Sequence, residues 1–224
     1  MINIFIGYDE RMPLLHNVLS YSILSQSSLP VTICPINLKN LSSIFLREID
    51  SNQSTQFSFS RFLVPYLSSF QGWSIFMDND MVCMADIAEL WKLRDEKYSV
   101  MCVKHDYEVN KEVKFLGEKQ TQYEKKNWSS LMLINNKKCK ALTTDYVNKA
   151  SGLELHQFKW LESDELIGEL PKEWNYLAGY YPETTDAKLI HYTDGGPYFK
   201  AYQDSDFAKQ WLGAREKSLY IQQE

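Results

Sequence analysis

An apolar run that ends in two carboxylates is the feature that most limits what this chain can fold into. Within residues 74–82, an apolar run at 75–77 is followed by the carboxylates of Asp78 and Asp80. Side chains two positions apart on a strand point the same way, and a strand that ends at Asp78 lets both carboxylates converge. Ligands bind at the carboxyl ends of strands in open α/β sheets, where one or two Asp side chains commonly hold a divalent cation. The pair predicts a metal-bound nucleoside diphosphate, with an acidic loop as the alternative.

Composition predicts one domain that does not bind nucleic acid. The chain has 224 residues, of which 44% are hydrophobic, and this is enough for one full core. We therefore expect residues 1–224 to form a single domain. The formal net charge is −5, and no run of Lys and Arg is dense enough to follow a phosphate backbone. An anionic substrate must then be met by a metal or by a few placed cations.

Cysteine usage and the amino terminus predict a cytoplasmic protein. The four cysteines lie far apart and form no Cys-x-x-Cys pair, which argues against a zinc site and fits a reducing cytosol. Residues 1–7 lack a basic region, and their apolar run is too short for a signal peptide or a membrane span. We therefore expect no transmembrane segment.

The alternation of strand-like and helix-like segments predicts an α/β fold with a largely parallel sheet. Apolar residues at helical spacing mark 12–25, and 57–70 is predicted to be a helix with a kink at Pro65. The segment 117–127, rich in Lys, Glu and Gln, is predicted to be an exposed loop or lid. The predicted strands are residues 2–7, 31–36, 74–77, 98–103, 131–135 and 188–192.

The order of six short segments strengthens the metal hypothesis. These segments are residues 6–9, 59–62, 76–80, 129–135, 170–176 and 190–197. In this order they resemble the nucleotide-sugar-dependent glycosyltransferases of family 8, which include glycogenin and bacterial lipopolysaccharide galactosyltransferases, and the resemblance spans nearly the whole chain. It implies a GT-A fold, in which one Rossmann-like domain has a mostly parallel central sheet, flanking helices and an Asp-x-Asp metal site. It also implies transfer of a hexose from a nucleoside-diphosphate sugar, such as a UDP-sugar, to a hydroxyl of a saccharide, glycan or other acceptor, with retention of configuration.

Three side chains are predicted to hold the metal. When the nucleoside diphosphate leaves, a divalent ion that bridges both phosphates stabilises the negative charge as a Lewis acid. Asp78 and Asp80 supply hard oxygen ligands, and His191 adds an imidazole that suits Mn²⁺ better than Mg²⁺. A histidine satisfied within a loop is the alternative for His191. Its place shortly before Gly195, where the backbone can approach phosphates closely, favours the ligand.

The resemblance implies further contacts with the nucleotide sugar. Tyr8 and Asp9 lie in the loop that would hold the base and ribose, although Asp9 could equally be a turn or helix-cap residue. Arg61 is predicted to reach the donor phosphates or the sugar hydroxyls. The complete predicted nucleotide-sugar site is Gly7, Tyr8, Asp9, Arg61, Asp78, Asn79, Ser129, Gly195 and Lys200.

Two positions depart from the family pattern. The family commonly places an Asn that faces the donor sugar before its "Leu-Ile-Asn" strand, and here Asn127 or Ser129 would take over that contact. The usual Lys after the final Gly is absent, and Lys200 is close enough along the chain to replace it.

Two acidic residues are predicted to face the sugar. Glu162 and Asp164 lie where the family carries an "Asp-Gln-Asp" segment, and Asp164 aligns with its last acid. With retention no distant base is required, so these groups would position sugar hydroxyls and stabilise positive charge. An inverting enzyme would instead use one carboxylate as a base towards the acceptor. The predicted catalytic set is Arg61, Glu162 and Asp164.

Two other functions stay open. Residues 76–82 superficially suit the nucleophile loop of haloacid-dehalogenase-type phosphatases, in which one Asp attacks phosphate. That motif normally opens a domain, whereas here it follows a complete strand-helix-strand unit. The other alternative is a non-catalytic, transferase-like domain that binds sugars or partners through its aromatic residues. The presence of Asp78, Asp80 and His191 argues against it.

Overall fold

Two sheets meet at one junction in this structure. It is a computed structural model that describes residues 1–48, 53, 55–106 and 124–220. The helices are α1 (Pro13–Leu24), α2 (Val64–Leu67), α3 (Ile87–Lys92), α4 (Thr144–Lys149), α5 (Gly152–His156) and α6 (Ala208–Leu219). The strands are β1 (Ile2–Gly7), β2 (Val31–Ile36), β3 (Trp73–Met77), β4 (Met81–Cys83), β5 (Val100–Cys102), β6 (Leu131–Asn135), β7 (Ile167–Glu169), β8 (Tyr176–Leu177) and β9 (Leu189–His191). None of the helices within the described ranges has the length and apolar character needed to cross a membrane.

The larger sheet contains six strands in the order β2-β1-β3-β6-β5-β7 among the described residues. Strand β1 is parallel to β2 and β3, and β5 is parallel to β7. Strand β6 is antiparallel to both of its neighbours, β3 and β5, so it runs against the rest of the sheet. The predicted α/β class with a mostly parallel sheet is confirmed.

Strand β3 is buried on both faces, which explains why its sequence, apart from Ser74, is apolar without alternation. All five of its residues are buried. Phe76 packs on one face of the sheet in a cluster that includes Phe57. Ile75 and Met77 pack on the other face with residues of α3. Asp78 therefore follows directly on a fully buried strand.

The smaller sheet begins with β4, shortly after β3 ends. Its strand order is β4-β9-β8, with β4 antiparallel and β8 parallel to β9. Helices α1 and α6 cover this sheet, since Val18 of α1 and Trp211 of α6 share a buried cluster with Val82 and Ile190. Residues 78–80 thus form the bridge between the two sheets.

Several element bounds agree with the sequence prediction. Strands β1, β2 and β6 cover the predicted residues, and α1 lies within the predicted 12–25. Strands β3, β5 and β9 overlap the segments predicted at 74–77, 98–103 and 188–192. The four cysteines are free thiols, and all but the half-buried Cys34 are buried.

The predicted kinked helix at 57–70 is wrong. A 3-10 helix covers Ser60–Leu63, and α2 then covers only Val64–Leu67. Proline has no backbone N–H, and its ring clashes with the carbonyl four residues earlier. For Pro65 that carbonyl belongs to Arg61, so an α-helix that continued through both residues would be destabilised. Pro65 lies instead in the first turn of α2, where proline is tolerated.

The predicted lid lies largely outside the described residues. Of the segment 117–127, the structure describes 124–127. Glu124 is exposed there, but Lys126 is buried. The carboxyl end of the segment is therefore partly packed against the fold, whereas the prediction was an exposed loop or lid.

Candidate active site

The two acidic side chains of the sequence motif lie where one sheet passes into the other. Asp78 follows β3 directly, and its backbone N–H donates to the Ser130 carbonyl at 2.8 Å. Asp80 immediately precedes β4, which pairs with the strand that ends at His191. The Tyr192 N–H donates to the Asp80 carbonyl at 3.0 Å and continues that ladder. Strand register therefore places His191 beside Asp80.

Three side chains that could hold a metal meet at this junction. One possible ligand atom from each of Asp78, Asp80 and His191 lies within 4.8 Å of the others. Nε2 of His191 faces Oδ1 of Asp80 at 3.3 Å. Asp80 is 8% exposed and His191 is almost completely buried. The structure thus brings together the residues that the sequence predicted as metal ligands.

The chemistry of this group fits a divalent cation. Two carboxylates and one imidazole form a mixed oxygen and nitrogen ligand set of a kind that holds divalent cations. Oδ1 of Asp80 is buried and accepts no hydrogen bond from any described residue. A buried acceptor without a donor is costly, and a cation between these groups would offset that cost. Asp78, Asp80 and His191 are the residues that would hold the ion.

Arg61 balances the charge of Asp78 from inside the fold. Its Nη1 lies 2.8 Å from Oδ1 of Asp78 and donates to the Ser129 carbonyl at 3.0 Å. The centre of the guanidinium lies 5.4 Å from the ring of Phe57 and 5.0 Å from the ring of Phe76. Packing and hydrogen bonding together fix this buried cation beside the carboxylate cluster.

A chain of hydrogen bonds lies behind His191. Nδ1 of His191 lies 3.0 Å from Oδ1 of Asn175. Nδ2 of Asn175 lies 2.9 Å from Ser130 Oγ and 3.4 Å from the carbonyl oxygen of Asn127. Ser130 Oγ also lies 2.6 Å from that carbonyl oxygen. Asn127 has a left-handed backbone with φ 62°, and its Nδ2 donates to Thr193 Oγ1 at 3.0 Å. The segment before β6 is thereby tied to the strand that carries the imidazole.

The loop after β1 is shaped by its own packing. A Cβ on Gly7 would come within 2.3 Å of the Phe57 ring, so packing alone accounts for glycine there. Tyr8 packs edge-on against His16 with 5.5 Å between the ring centroids. Nucleotide binding by Gly7 and Tyr8 stays a prediction.

Asp9 is a buried carboxylate and not the cap of α1. The N-cap of that helix is Met12, which makes no side-chain cap hydrogen bond. Arg11 donates from Nε to Oδ1 of Asp9 at 2.9 Å and from Nη2 to Oδ2 at 2.7 Å. The backbone N–H of Gln56 donates to Oδ2 at 3.3 Å. Burial raises the pKa of Asp9, but the hydrogen bonds and charge of Arg11 outweigh burial and lower the pKa below its ordinary value.

The other predicted donor contacts are Asn79, Ser129, Gly195 and Lys200. Asn79 is buried, and its Nδ2 has no hydrogen-bond acceptor among the described residues. Ser129 Oγ lies 2.8 Å from Nδ1 of His156. Gly195 has φ 123°, a backbone angle that favours glycine. Gly195 and the exposed Lys200 line the same cavity, which has a volume of about 400 Å³.

The acidic residues predicted to face the sugar are exposed to solvent. Asp164 begins a 3-10 helix, and its side chain is 68% exposed. Nζ of Lys125 lies 2.6 Å from Oδ1 of Asp164 and donates to the Gln157 carbonyl at 3.0 Å. The hydrogen bond from Lys125 lowers the pKa of Asp164 below its ordinary value. Glu162 is also exposed, and no contact within the described part of the chain joins either acid to the metal cluster.

Sequence reasoning left His105 and Asn175 without a role. Nδ1 of His105 lies 2.9 Å from the hydroxyl oxygen of Tyr181. Burial, followed by the charge of the nearby His191, lowers the pKa of His105 to about 3, so the ring is neutral. The position of His105 just after the predicted strand at 98–103 could have marked it as a candidate site residue. Asn175 lies in the recognised segment 170–176, but nothing in the pattern showed that its amide faces His191.

Several solved structures that share this fold are glycosyltransferases. The bifunctional glycosyltransferase WbbM matches with a TM-score of 0.67 and 16% identity, over 96% of this chain and 49% of WbbM. Apo GlyE of Streptococcus pneumoniae TIGR4 matches with a TM-score of 0.64 and 15% identity, over 98% of this chain and 60% of GlyE. Galactosyltransferase LgtC, in complex with donor and acceptor sugar analogs, matches with a TM-score of 0.58 and 8% identity, over 99% of this chain and 98% of LgtC. The predicted GT-A fold is confirmed, and the chain spans about half to three fifths of WbbM and GlyE.

A relative by sequence defines the family. Protein CDI of Arabidopsis thaliana is 46% identical over 223 residues, which are 96% of this chain and 86% of Protein CDI. The chain therefore belongs to the same family as Protein CDI. No protein-family model matches the chain.

Proposed function

We propose that this protein is a metal-dependent glycosyltransferase that moves a hexose from a UDP-sugar to a hydroxyl of a saccharide, glycan or other acceptor. The observation that carries the proposal is the meeting of Asp78, Asp80 and His191 at the end of β3, on a fold found in glycosyltransferase structures. The fold of LgtC, solved with donor and acceptor sugar analogs, gives further support. The same fold favours a transferase over the phosphatase alternative.

The charge that develops in the reaction explains the arrangement of the cluster. Transfer breaks the bond between the anomeric carbon and a phosphate oxygen, so negative charge grows on the departing diphosphate. A divalent ion held by Asp78, Asp80 and His191 supplies Lewis-acid stabilisation of that charge. Arg61 adds a fixed positive charge beside Asp78, at 2.8 Å between Nη1 and Oδ1.

On the sugar side of the site, the reaction requires groups that stabilise positive charge. As the bond breaks, the hexose becomes oxocarbenium-like, and nearby carboxylates stabilise it. We assign this role to Asp164, with Glu162 beside it, because both are exposed and therefore open to a sugar. We also propose that the configuration of the anomeric carbon is retained, as the resemblance to family 8 implies.

The donor end is assigned to the loops around the cluster. In this proposal Tyr8 and Asp9 contact the base and ribose, while Gly195 and Lys200 contact the diphosphate. Lys200 is exposed and lines the same cavity as Gly195, which supports a shared ligand. The proposed donor is a uridine nucleotide, and the proposed ion is Mn²⁺.

Thermal unfolding with and without metal tests the proposal. UDP at about 100 times its Kd should stabilise the fold by about 2.7 kcal/mol, or roughly 5–10 °C in melting temperature for a chain of this length. The increase should require Mn²⁺ and disappear when a chelator is added. CDP, GDP and ADP serve as matched controls and should give smaller shifts. Equal stabilisation by UDP with and without Mn²⁺ would contradict metal-dependent binding.

A donor screen then separates catalysis from binding. UDP-glucose, UDP-galactose and UDP-N-acetylhexosamines are supplied with Mn²⁺, and released UDP is measured. One donor should be turned over clearly faster than the others. If UDP binds in the presence of Mn²⁺ but no donor is cleaved with any acceptor tried, the non-catalytic alternative is the better description.

A further inference from the structure

The hydrogen bonds behind His191 have a fixed direction. They end at the backbone carbonyl of Asn127, which can only accept. Ser130 Oγ donates to that oxygen at 2.6 Å, so its one hydrogen is used there. Ser130 Oγ must therefore accept from the amide that faces it at 2.9 Å, which belongs to Asn175. The NH₂ end of Asn175 points to Ser130, and its carbonyl end points to His191.

This direction decides which ring nitrogen carries the proton. Oδ1 of Asn175 can only accept, and it lies 3.0 Å from Nδ1 of His191. Nδ1 must therefore carry a hydrogen. In the neutral ring the lone pair then belongs to Nε2, which is the atom that faces Asp80 at 3.3 Å.

The Asn175 amide is held against rotation by its contacts with Ser130 and Asn127. Asn175 is completely buried, so no water can replace a lost partner at low cost. A half-turn of the amide would set its oxygen against the Ser130 hydroxyl, whose hydrogen is engaged, and against the Asn127 carbonyl. It would also turn the NH₂ group towards Nδ1 of His191, which could accept from it only if the ring proton lay on Nε2. The contacts with Ser130 and Asn127 would be unfavourable in either tautomer, so they hold the amide in its orientation.

We propose that Asn175 is a positioning residue that keeps His191 in the tautomer able to bind a metal through Nε2. Partners of this kind on the far ring nitrogen orient metal-binding histidines and raise their basicity. The inference rests on the proposed metal site, but it does not depend on sugar transfer. Asn175 acts through His191 and touches neither the ion nor the substrate.

Nitrogen-15 NMR of the metal-free protein tests the tautomer without any change at Asn175. The chain has four histidines, and the His191 signals are those that disappear in His191→Gln. At a pH where the ring is neutral, Nδ1 should give the signal of a protonated nitrogen and Nε2 that of an unprotonated one. A neutral ring with its proton on Nε2 would overturn the proposal.

Substitution of Asn175 tests its effect on metal binding. Asn175→Leu should weaken Mn²⁺ binding about 10–100-fold, measured by calorimetry without nucleotide, and should abolish the tautomer preference. The matched control is Asn136→Leu, since Asn136 is also completely buried. Its Nδ2 donates to the Gln71 carbonyl and to Ser74 Oγ, both at 2.9 Å and both outside the metal cluster. This control should lower the melting temperature similarly and leave Mn²⁺ affinity unchanged.

A second variant keeps the test decisive if Asn175→Leu does not fold. Ser130→Ala removes the acceptor that orients the Asn175 amide and leaves the 3.4 Å contact with the Asn127 carbonyl. It should weaken Mn²⁺ binding in the same direction but less. Two results would overturn the inference. One is that Asn175→Leu keeps the same tautomer and binds Mn²⁺ within about twofold of the parent affinity. The other is that Ser130→Ala keeps the same tautomer and an unchanged Mn²⁺ affinity. Mn²⁺ binding with the expected tautomer but no UDP binding would uphold it and reject the proposed transferase.

Discussion

The metal cluster and the acidic residues at 162–164 are held in opposite ways. Asp80 and His191 are buried; Asp80 immediately precedes β4 and His191 ends β9, and the pairing of these strands fixes their separation. Asp164 is 68% exposed and is held by an ion pair with Lys125. One part of the candidate site belongs to the core, and the other lies on the surface.

This difference indicates how function should divide between the two regions. Groups on rigid strands are arranged before any ligand arrives, so they can bind a metal and a diphosphate at little cost in ordering. Groups on exposed loops reach a defined position when a substrate covers them. We therefore expect changes in the cluster to remove binding and turnover together. Changes at the exposed acids should act on the chemical step.

The largest effect is expected from Asp80→Ala. Loss of a metal ligand should reduce Mn²⁺ affinity by more than the ~10–100-fold expected when only a residue that hydrogen-bonds to a ligand is lost. UDP binding and turnover should disappear together with the metal. Stability without metal should not fall, because Oδ1 of Asp80 is a buried acceptor that accepts no hydrogen bond from any described residue. Calorimetry with Mn²⁺ and UDP, together with a melting curve, checks both expectations.

A surface carboxylate provides the control for that experiment. Asp145 lies on α4 and forms an exposed ion pair with Lys149. Asp145→Ala removes the same charge from the chain and should leave Mn²⁺ and UDP binding intact. If Asp80→Ala binds Mn²⁺ as tightly as this control, the metal site is elsewhere.

A smaller and different effect is expected from Asp164→Asn. The substitution keeps the shape of the side chain and removes the charge proposed to face the sugar. The kcat should fall by about 10²–10³ while UDP affinity stays near that of the parent. Glu165→Gln is the matched control, because Glu165 is the next residue and is also exposed. Turnover of Asp164→Asn at nearly the parent rate would move the role to Glu162 or another acid.

The strand-borne part of the site was predictable because it depends on simple periodic patterns. An apolar run that is buried on both faces of the sheet ends at Asp78. The direction of that strand then places Asp78 at the carboxyl edge of the α/β sheet, where ligands bind. The assignment of His191 needed more, because Asp80 and His191 are distant along the chain. It came from the resemblance of the segment 190–197 to a known family, and the pairing of β4 with β9 supplies the physical reason.

The contacts between loops were not predictable from the sequence. Lys125 and Asn127 both have left-handed backbones, with φ 62°, and neither is a glycine that would mark such a turn. These turns direct Lys125 to Asp164 and the Asn127 carbonyl to Asn175. Such pairings depend on how distant loops pack, which no local pattern encodes.

The smallest effect is expected from Lys125→Met, and it tests whether the exposed region is truly less fixed than the cluster. The hydrogen bond from Lys125 lowers the pKa of Asp164, so the variant should raise that pKa towards its ordinary value. Because the folded-state pKa lies below the unfolded one, the pair stabilises the fold above the ordinary carboxyl pKa and loses this contribution as pH falls through the folded-state pKa. For such an exposed carboxylate the loss at pH 7 should be only about 0.2–1 kcal/mol.

Carbon-13 NMR titration of the Asp164 carboxyl and urea unfolding at neutral and acidic pH measure these two quantities. Lys149→Met is the control, because it removes the cation from a different carboxylate pair, with Asp145, in which both side chains are exposed. It should cost a similar small amount of stability and leave the Asp164 titration unchanged. The kcat of Lys125→Met should fall less than that of Asp164→Asn, since Asp164 keeps its charge at neutral pH. An equal fall would mean that Lys125 fixes Asp164 for catalysis as firmly as the strands fix Asp80, and the contrast between the two regions would then be wrong.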